Sequence, residues 1–444
     1  MRLSSKVAIL AGMGGFLDGY DLIVISGAIS LVGKTFSTTS SQVTGLMIGM
    51  AFLGGFFGSI LLSRLVDTYG RKMMFVLDLF LFVGGTLIAS LAVNVPMLFV
   101  GRFLTGLAIG VDLAVSWTLV AEFAPKERRG FLLSLQFILW GIGALVSFLV
   151  VDAFLFLGSE AWRAAFLVGL IPAIVVLVIR RSIPESPRWL ASKGNIEEAE
   201  KIIKNSDSGI STEMLTAVHS STNQYKWSAL FSGKLMRLVV GVFISTFLAF
   251  FLTAPINLYT PEVLTTVGLT GSLNISLLGS AFVWVFNIIG FIVGGLLIDK
   301  IGRRPIGVIA FGVMTLILVT LLVFAVPPGL FFVLWICMEF LGAFGASVTW
   351  TWASELFPTT IRGFAMGVNS SANRLSGFVS SYIIALILSQ SLKLLYISGI
   401  GAGLIIIFIV IVVINVESKG KALEDISERS LSPVDTEGNE SGNF

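Results

Sequence analysis

The chain has 444 residues, of which 55% are hydrophobic and only 12% are charged. Because soluble proteins carry about 25% charged residues, most of this chain must face lipid or the interior of a helix bundle. The single cysteine (Cys337) excludes an intrachain disulfide and a cysteine metal cluster, and the single histidine (His219) makes a histidine metal site implausible. The net charge of +3 gives no indication of a nucleic-acid partner.

Twelve apolar segments follow one another along the chain, each near the roughly 20 residues that an α-helix needs to cross a bilayer. Their predicted bounds are 7–32, 42–63, 73–92, 97–122, 131–157, 163–181, 235–258, 273–297, 305–326, 329–356, 363–389 and 393–416. The predicted fold class is therefore an all-α membrane protein with twelve transmembrane helices.

Two loop motifs divide the twelve segments into two copies of one unit. Residues 67–72 (DTYGRK) return as residues 299–304 (DKIGRR), a shift of 232 positions (299 − 67). Glu122, in the sequence EFAP, returns as Glu355, in the sequence ELFP, a shift of 233 positions (355 − 122). This parallel repeat predicts two pseudo-symmetric six-helix bundles, an arrangement found in a large class of transporters.

Basic residues set the predicted orientation. Ten of them lie in the short loops that carry the repeated motifs, whereas only Lys34, Arg163 and Lys393 lie outside the spans on the opposite side. Because cytoplasmic loops are enriched in Lys and Arg, both termini are predicted to be cytoplasmic in a multi-pass protein of the cell membrane. The predicted domains are an N-terminal bundle (1–181), a cytoplasmic linker with short helices (182–233), a C-terminal bundle (234–416) and a disordered cytoplasmic tail (417–444).

The loop motifs resemble the signature loop of the major facilitator superfamily, Gly-x-x-x-Asp-x-x-Gly-Arg-Arg/Lys. Ser63 replaces the first glycine of the pattern in the first copy, and Gly295 keeps it in the second. The segment 184–190 (PESPRWL) resembles the marker of the sugar-porter branch and of its phosphate and organic-ion relatives. The resemblance covers about residues 7–416 and implies that two bundles rock against each other around a central cavity.

The repeated motifs are predicted to form a gate. Aspartate and arginine at helix ends can pair across the seam between the bundles or complement helix dipoles, and such contacts would break when one face opens. Charge that only fixes topology is the alternative, and the duplication favours gating. Glu122 and Glu355 are expected to pair with loop arginines of their own bundle. The candidate gating residues are Asp67, Gly70, Arg71, Glu122, Arg129, Asp299, Gly302, Arg303, Glu355 and Arg362.

Four charged residues within the spans are the candidates for proton coupling. Asp18 and Asp21 lie three positions apart in span one and share a helix face, and Arg102 and Asp112 lie ten positions apart in span four. A charge inside the bilayer is costly and usually marks a pathway or a pair. Neighbouring carboxylates favour protonation and an arginine opposes it, so the group can bind and release a proton. The alternative is a static Asp21–Arg102 ion pair, but one arginine cannot neutralise three aspartates.

Family resemblance separates the roles of these charges. The segment 19–21 (GYD), followed by 24–27 (VISG), resembles span one of proton-coupled sugar porters, which implies that Asp21 carries the proton and pairs with Arg102. The additional aspartates depart from that pattern. Together with 110–112 (GVD), they resemble the phosphate:proton symporter branch instead.

Arg374, in the middle of span eleven, is the first candidate for substrate binding. It stands where the phosphate branch has a substrate-binding lysine and organic-ion carriers have an arginine. A buried guanidinium can hold a carboxylate or phosphate through two hydrogen bonds. The alternative is an internal counter-ion for Asp112 or Glu339. The other candidate substrate residues are Asn373, Gln136, Trp140, Trp350 and Asn287, with Asn369, Trp284 and Trp352 as further possible lining.

Span seven argues against a sugar. The segment 258–262 (LYTPE) keeps the end of a sugar-porter motif, but Leu248, Ala249 and Ala254 occupy the upstream positions where sugar porters have amides. Apolar side chains cannot hydrogen-bond hydroxyl groups, which a sugar site requires. The tryptophan and aspartate of the phosphate branch are missing too. The sequence therefore favours proton-coupled symport of a small polar metabolite, an organic acid anion rather than a sugar, with sugar:proton symport as the alternative.

A nutrient sensor without transport is the alternative from another class. Such receptors often have a long tail or an enlarged central loop, but the tail here has 28 residues (417–444) and the linker about 52 (182–233). An enzyme is not expected, because the sequence has no His/Cys metal cluster, nucleotide loop or nucleophile elbow. The expected partners are a small-molecule substrate, protons and the lipid bilayer, with no nucleic acid and no cofactor, and the chain is expected to function as a monomer.

Overall fold

The computed structural model of the protein describes residues 3–38, 40–123, 129–204, 233–355 and 362–414. Within these residues, twelve helices are long and apolar enough to cross a membrane. In chain order they are α1 (Leu3–Thr35), α2 (Ser41–Phe57), α3 (Arg71–Ser90), α4 (Val95–Phe123), α5 (Arg129–Ala153), α6 (Ala161–Arg180), α7 (Gly233–Thr266), α8 (Leu273–Ile301), α9 (Arg303–Val323), α10 (Pro328–Glu355), α11 (Arg362–Leu388) and α12 (Leu392–Phe408).

Shorter helical segments extend or connect the twelve spans. A π-helical turn (Gly58–Leu62) and a short helix (Ser63–Tyr69) continue α2, and a 3₁₀ turn (Leu155–Glu160) precedes α6. Two short helices (Pro187–Ser192 and Ile196–Lys204) follow α6 in the predicted linker. Residues 205–232 and 415–444 lie outside the described residues, so the division into bundles, linker and tail stays a prediction.

Helices are the structure expected of these segments, because only a helix or a closed barrel satisfies its own backbone hydrogen bonds in lipid. Large apolar side chains remain exposed on the outer surface. Ile171 and Val178 of α6 are 65% and 62% exposed, and Leu316 of α9 is 66% exposed. These exposed faces are the surfaces that lipid would cover.

Within the first six spans, α1 packs against α4, α5 and α6. The contact of α1 with α5 depends on small residues. A Cβ atom at Gly19 would lie 2.0 Å from the backbone oxygen of Trp140, and one at Gly143 would lie 2.0 Å from that of Phe16. Such backbone-to-backbone packing through glycine is typical of membrane helix bundles.

Two seams join the first six spans to the last six, α2 against α11 and α5 against α8. Along the first seam, the Ser59 and Ser370 hydroxyl groups lie 3.2 Å apart. Along the second, Asn274 donates a hydrogen bond to Asp152 at the membrane side away from the repeated motifs. The two halves therefore meet along helix pairs that face each other across the centre of the protein.

The repeated loop motifs fold into two turns of the same geometry. Gly70 joins the end of the short helix after α2 to α3 with φ 98° and ψ 160°. Gly302 joins α8 to α9 with φ 106° and ψ 158°. Both sets of angles fall in a backbone region that only glycine adopts without strain. We call the membrane surface that carries Gly70 and Gly302 the motif side, and the surface that carries Asp152 and Asn274 the far side.

The Gly70 turn is held by Glu185, from the segment that follows α6. The Glu185 carboxylate accepts hydrogen bonds from the backbone N–H groups of Arg71 at 2.9 Å and Lys72 at 3.1 Å, which begin α3. It also accepts one from the N–H of Ser186 at 2.8 Å. A carboxylate at a helix N-terminus satisfies unpaired N–H groups and complements the helix dipole. The structure thus connects the PESPRWL segment to the signature loop.

We expect Gly70→Ala to destabilise the protein more than Gly84→Ala, its control in the same helix. A Cβ atom at residue 70 would lie 2.4 Å from the Glu185 carboxylate, whereas one at residue 84 meets nothing within 4 Å. Backbone strain alone costs about 1–3 kcal/mol. Melting temperatures of both variants in detergent would test this expectation. Equal melting temperatures would show that the turn carries no such constraint.

Helix α7 is longer than the sequence predicted, because it continues past residue 258 to Thr266. It contains two prolines, Pro255 and Pro261. Each proline removes only one backbone hydrogen bond, and membrane helices tolerate this loss where neighbouring groups compensate. The end of α7 is anchored by Trp335 of α10, whose indole N–H donates to the Thr260 hydroxyl at 3.0 Å.

Candidate functional site

A cavity lies between the two halves and encloses about 950 Å³ of space that protein atoms do not fill, part of it open to solvent. Helices α1, α4, α5, α7, α8, α10 and α11 all contribute side chains to its wall. Every predicted substrate residue lines it, as do two of the proton-coupling candidates. These residues are Arg374, Asn373, Gln136, Trp140, Trp350, Asn287, Asp18 and Asp112.

Three residues that the sequence offered as further lining lie behind the cavity wall instead. Asn369 accepts a hydrogen bond from Thr246. Trp284 is fully buried and packs edge-on against Trp140, with the ring centroids 5.3 Å apart. Trp352 is buried in the core of the second half. These side chains support the wall, whereas Thr246 and Trp140 reach the cavity.

Several amide groups at the cavity have hydrogen-bonding capacity that no described residue uses. The Gln136 Nε2 group, the Asn257 Oδ1 atom and the Asn287 Oδ1 atom are buried without a partner. The other end of the Asn287 amide donates to Glu339 at 2.6 Å, which fixes its orientation. Buried polar groups are normally hydrogen-bonded, so these atoms mark positions where a polar ligand can bind.

The sequence argument from span seven is wrong about the cavity wall. Of the three apolar positions it used, only Ala249 lines the cavity, and Leu248 and Ala254 do not. Three polar residues of α7 line it as well, namely Thr246, Thr253 and Asn257. They share a helix face with Ala249, from which they lie three, four and eight positions away along the helix. The helix therefore does present polar groups to the cavity.

An aromatic cluster closes the cavity toward the motif side. Trp117 of α4 stacks on Trp350 of α10 with the ring centroids 5.9 Å apart. Phe137 of α5 contacts Trp350 at 5.4 Å and stacks on Phe291 of α8 at 5.0 Å. All four side chains line the cavity and come from both halves of the protein. The cluster therefore joins the two halves across the cavity.

Asp21 and Arg102 form a buried ion pair between α1 and α4. The Arg102 Nη1 group donates to the Asp21 carboxylate at 2.5 Å and to the Asp21 backbone oxygen at 2.8 Å. Neither side chain is more than 2% exposed, and neither lines the central cavity. The guanidinium also lies over the Phe166 ring. Asp21 is therefore screened from the cavity, and Asp18, one helical turn away, lines it.

A second charge cluster lies on the motif side of that pair and contains two residues that the sequence analysis missed. Arg180, at the end of α6, lies 2.7 Å from Asp112 of α4 and 3.2 Å from Asp78 of α3. Its guanidinium also covers the Phe75 ring at 3.5 Å. Asp112 thus pairs with Arg180, which corrects the expectation that it shares Arg102 or Arg374.

The sequence argument counted one arginine against three aspartates, and it did not include Arg180 as a second arginine. Arg102 and Asp112 are ten positions apart, or roughly 15 Å along a helix, so Asp112 is too far away to join the Asp21–Arg102 pair. Arg180 lies within predicted span six (163–181) and Asp78 within predicted span three (73–92), but neither was considered. An intramembrane aspartate in span three is the signal that could have revealed the second cluster.

The candidate gating residues are placed only in part. The Arg71 guanidinium lies 3.7 Å from the Glu122 carboxylate of the same half, and Gly70 and Gly302 form the turns described above. Arg303 is buried and donates to the Ile298 backbone oxygen at 3.2 Å. The remaining candidates lie in helices, but their side chains are outside the described part of the structure. They are Asp67, Arg129, Asp299, Glu355 and Arg362.

Comparison with known proteins gives a consistent result over the whole chain. The family described as "Sugar (and other) transporter" matches residues 7–429. The chain is 30% identical over 442 residues to the glucose transporter GlcP of Staphylococcus epidermidis, covering 95% of this chain and 96% of that protein. It is 30% identical over 445 residues to the arabinose-proton symporter of Bacillus subtilis, covering 95% and 94% respectively.

A solved structure of the major facilitator proton:xylose symporter XylE, bound to 6-bromo-6-deoxy-D-glucose, matches with a TM-score of 0.78 and 25% identity. The match covers 96% of this chain and 98% of that one. The predicted twelve-helix major facilitator fold is confirmed. These relatives are transporters and not enzymes, as the sequence predicted.

Proposed function

Because this chain belongs to the sugar transporter family of the major facilitator superfamily, we propose that it carries a sugar across the membrane together with a proton. The observation that carries the proposal is the set of buried amide atoms without partners at Gln136, Asn257 and Asn287. A sugar hydroxyl both donates and accepts, so one ring can satisfy donor and acceptor amide atoms on several helices at once.

The sugar replaces the organic acid anion as the proposed substrate class. The matched relatives are named for glucose, arabinose and xylose. Of the apolar α7 residues that led us to disfavour a sugar, only Ala249 lines the cavity. The polar residues Thr253 and Asn257 line it as well. Trp140 and Trp350 add aromatic surface from both halves, on which the apolar face of a sugar ring can rest.

Asp21 is the proposed proton carrier. In the charged state its carboxylate holds Arg102, and both charges are removed from water. A proton on Asp21 would remove the charge that Arg102 is bound to, and α1 and α4 would lose their strongest buried contact. Asp18 lies one turn closer to the cavity and is the proposed route by which a proton reaches Asp21. Proton binding would thereby be coupled to the movement of the bundles.

Alternating access would expose the cavity to one membrane side at a time. The aromatic cluster of Trp117, Phe137, Phe291 and Trp350 and the Arg71–Glu122 contact would open on the motif side. The proposed orientation places that side and both termini in the cytoplasm, because the motif loops carry the basic residues. We further propose that one chain in the cell membrane is sufficient, since both bundles belong to it.

Uptake into proteoliposomes with an inward proton gradient would test the proposal. We expect accumulation of at least one labelled monosaccharide from a panel of hexoses and pentoses, and loss of accumulation with a protonophore. Gln136→Ala and Asn287→Ala should raise KM about tenfold, because each removes hydrogen bonds to hydroxyl groups. Gln390→Ala, at an exposed residue after α11, is the matched control. A KM unchanged by the cavity variants would contradict the site, and binding without uptake would indicate a sensor.

A further inference from the structure

Arg374 of α11 is a buried cation that has no hydrogen bond or ion pair among the described residues. It is 5% exposed and lines the central cavity. Across the ranges that the structure describes, no hydrogen bond or ion pair reaches its guanidinium, and its Nε atom is buried without an acceptor. A buried charge without a partner is costly, so such a group is retained where a ligand can pair with it.

The contrast with the other arginines of the membrane interior is direct. Arg102 is paired with Asp21 at 2.5 Å, and Arg180 is paired with Asp112 at 2.7 Å. Both are fully buried and away from the cavity. Arg374 differs in both respects, because it reaches the cavity and lacks a carboxylate at ion-pair distance among the described side chains. The charge at Arg374 is thus available to something in the cavity.

The stem of the Arg374 side chain packs against the opposite half. Its stem passes over Gly55 of α2, where an added Cβ atom would lie 3.1 Å from the Arg374 Cδ atom. The neighbouring glycines of that segment serve another contact, since Gly54 and Gly58 pack against the backbone of α4. Gly55 leaves room for the arginine stem, so a side chain at this position would press on it.

Three carboxyl groups line the cavity with Arg374, and two of them have other partners. Asp112 is paired with Arg180, and Glu339 holds the Asn287 amide at 2.6 Å. Asp18 of α1 is the carboxyl group whose charge, when present, acts on the guanidinium, from the other half and beyond ion-pair distance. A ligand carboxylate at Arg374 would meet repulsion from a charged Asp18, and a proton on Asp18 would remove it.

Resting on the proposed function, we infer that the sugar carried by this protein bears a carboxylate, as in a uronate or an aldonate, and that Arg374 holds that carboxylate. The guanidinium supplies two parallel donors that match the two carboxylate oxygens. Gln136, Asn257 and Asn287 supply hydrogen bonds for the hydroxyl groups of the same ligand. The proton that passes Asp18 on its way to Asp21 would neutralise Asp18 as the anion binds, so anion and proton enter together.

Uptake of matched pairs separates the carboxylate from the rest of the ring. We would measure D-glucuronate against D-glucose and D-galacturonate against D-galactose in proteoliposomes under an inward proton gradient. The two members of each pair share their ring and differ at C6. We expect the wild type to take up at least one acid with kcat/KM about tenfold or more above its neutral partner.

Variants then assign the preference to Arg374. Arg374→Gln should remove the preference for the acid, Arg374→Lys should restore part of it, and Gly55→Ala should weaken it by displacing the arginine stem. Arg237→Gln, at an exposed arginine of α7, removes the same charge away from the cavity and should leave the preference intact. If Arg374→Gln does not fold, Arg374→Lys and Gly55→Ala carry the assignment to Arg374, and competition by each acid and each neutral sugar against wild-type uptake measures the preference itself.

The outcomes distinguish this inference from the function it rests on. Accumulation of a neutral sugar with equal or lower preference for its acid would overturn the carboxylate assignment and leave sugar:proton symport in place. Equal losses of acid and neutral sugar uptake in Arg374→Gln would also overturn it, since Arg374 would then serve only Asp18. Accumulation of neither class would overturn both proposals.

Discussion

The Asp21→Asn variant is expected to lose uphill uptake while keeping exchange. Asparagine has nearly the same shape and can still accept a hydrogen bond from Arg102, but it cannot bind and release a proton. Without proton movement the gradient cannot drive accumulation, so the internal substrate concentration should rise only to the external one. Labelled substrate should still exchange with unlabelled substrate across the membrane, because both bundles can still move.

The control for this variant is Glu160→Gln, which removes a carboxylate on the far side that is 53% exposed and paired only with Arg163. Exposed pairs of this kind contribute little, roughly 0–1 kcal/mol, so uptake should be normal. Accumulation by Asp21→Asn above the equilibrium level would show that the proton binds elsewhere. Asp18→Asn would then be the next variant to measure.

The second large effect is expected for Arg180→Gln, and it concerns stability. The change would leave Asp78 and Asp112 buried together without the cation that lies between them. Removing one partner of a buried pair costs about 3–5 kcal/mol. We expect a low yield of monodisperse protein and a clear fall in melting temperature in detergent.

A triple variant distinguishes charge imbalance from loss of shape. Asp78→Asn and Asp112→Asn together with Arg180→Gln leave a neutral cluster of similar volume, and we expect it to recover most of the lost stability. Arg237→Gln, at an exposed arginine, is the single-site control. If Arg180→Gln melts like the wild type, the cluster does not join α3, α4 and α6 as the geometry indicates. If the triple variant stays unstable, the loss comes from shape and not from charge.

Features that repeat along the sequence were predicted well. Each apolar segment needs only its own residues to form a helix in lipid, so the twelve spans follow from length and hydropathy. The repeated motifs likewise marked Gly70 and Gly302, and both adopt a positive φ. The end of span seven was placed at residue 258, eight residues before the helix ends at Thr266.

Features that depend on which helices meet were predicted poorly. Arg180 and Asp112 are 68 positions apart (180 − 112), and no pattern in either segment predicts that the two side chains pair. Glu185 was noted only as a member of a marker segment, although its carboxylate caps α3. The residues of the cavity wall could not be predicted for the same reason. The side of α7 that faces inward depends on how the helix is rotated within the bundle.

The substrate class depended on that same rotation. Reading Leu248 and Ala254 as part of the wall made the site look apolar, and Arg374 then favoured an organic acid. Thr253, Asn257 and Arg374 all line the same cavity. One ligand with both hydroxyl groups and a carboxylate could therefore bind there. The sequence singled out Gln136, Asn287 and Arg374, and all three line the cavity, but the way they combine is a property of the packed helices.

The most direct test of the account is proton entry driven by substrate. Purified protein would be placed in liposomes loaded with a pH-sensitive dye, with no initial pH gradient, and the transported sugar or sugar acid would be added outside. The account predicts that the internal pH falls when substrate is added, and that Asp21→Asn abolishes this fall while exchange continues. Entry of labelled substrate with no change of internal pH would contradict it, because the protein would then carry its substrate without a proton.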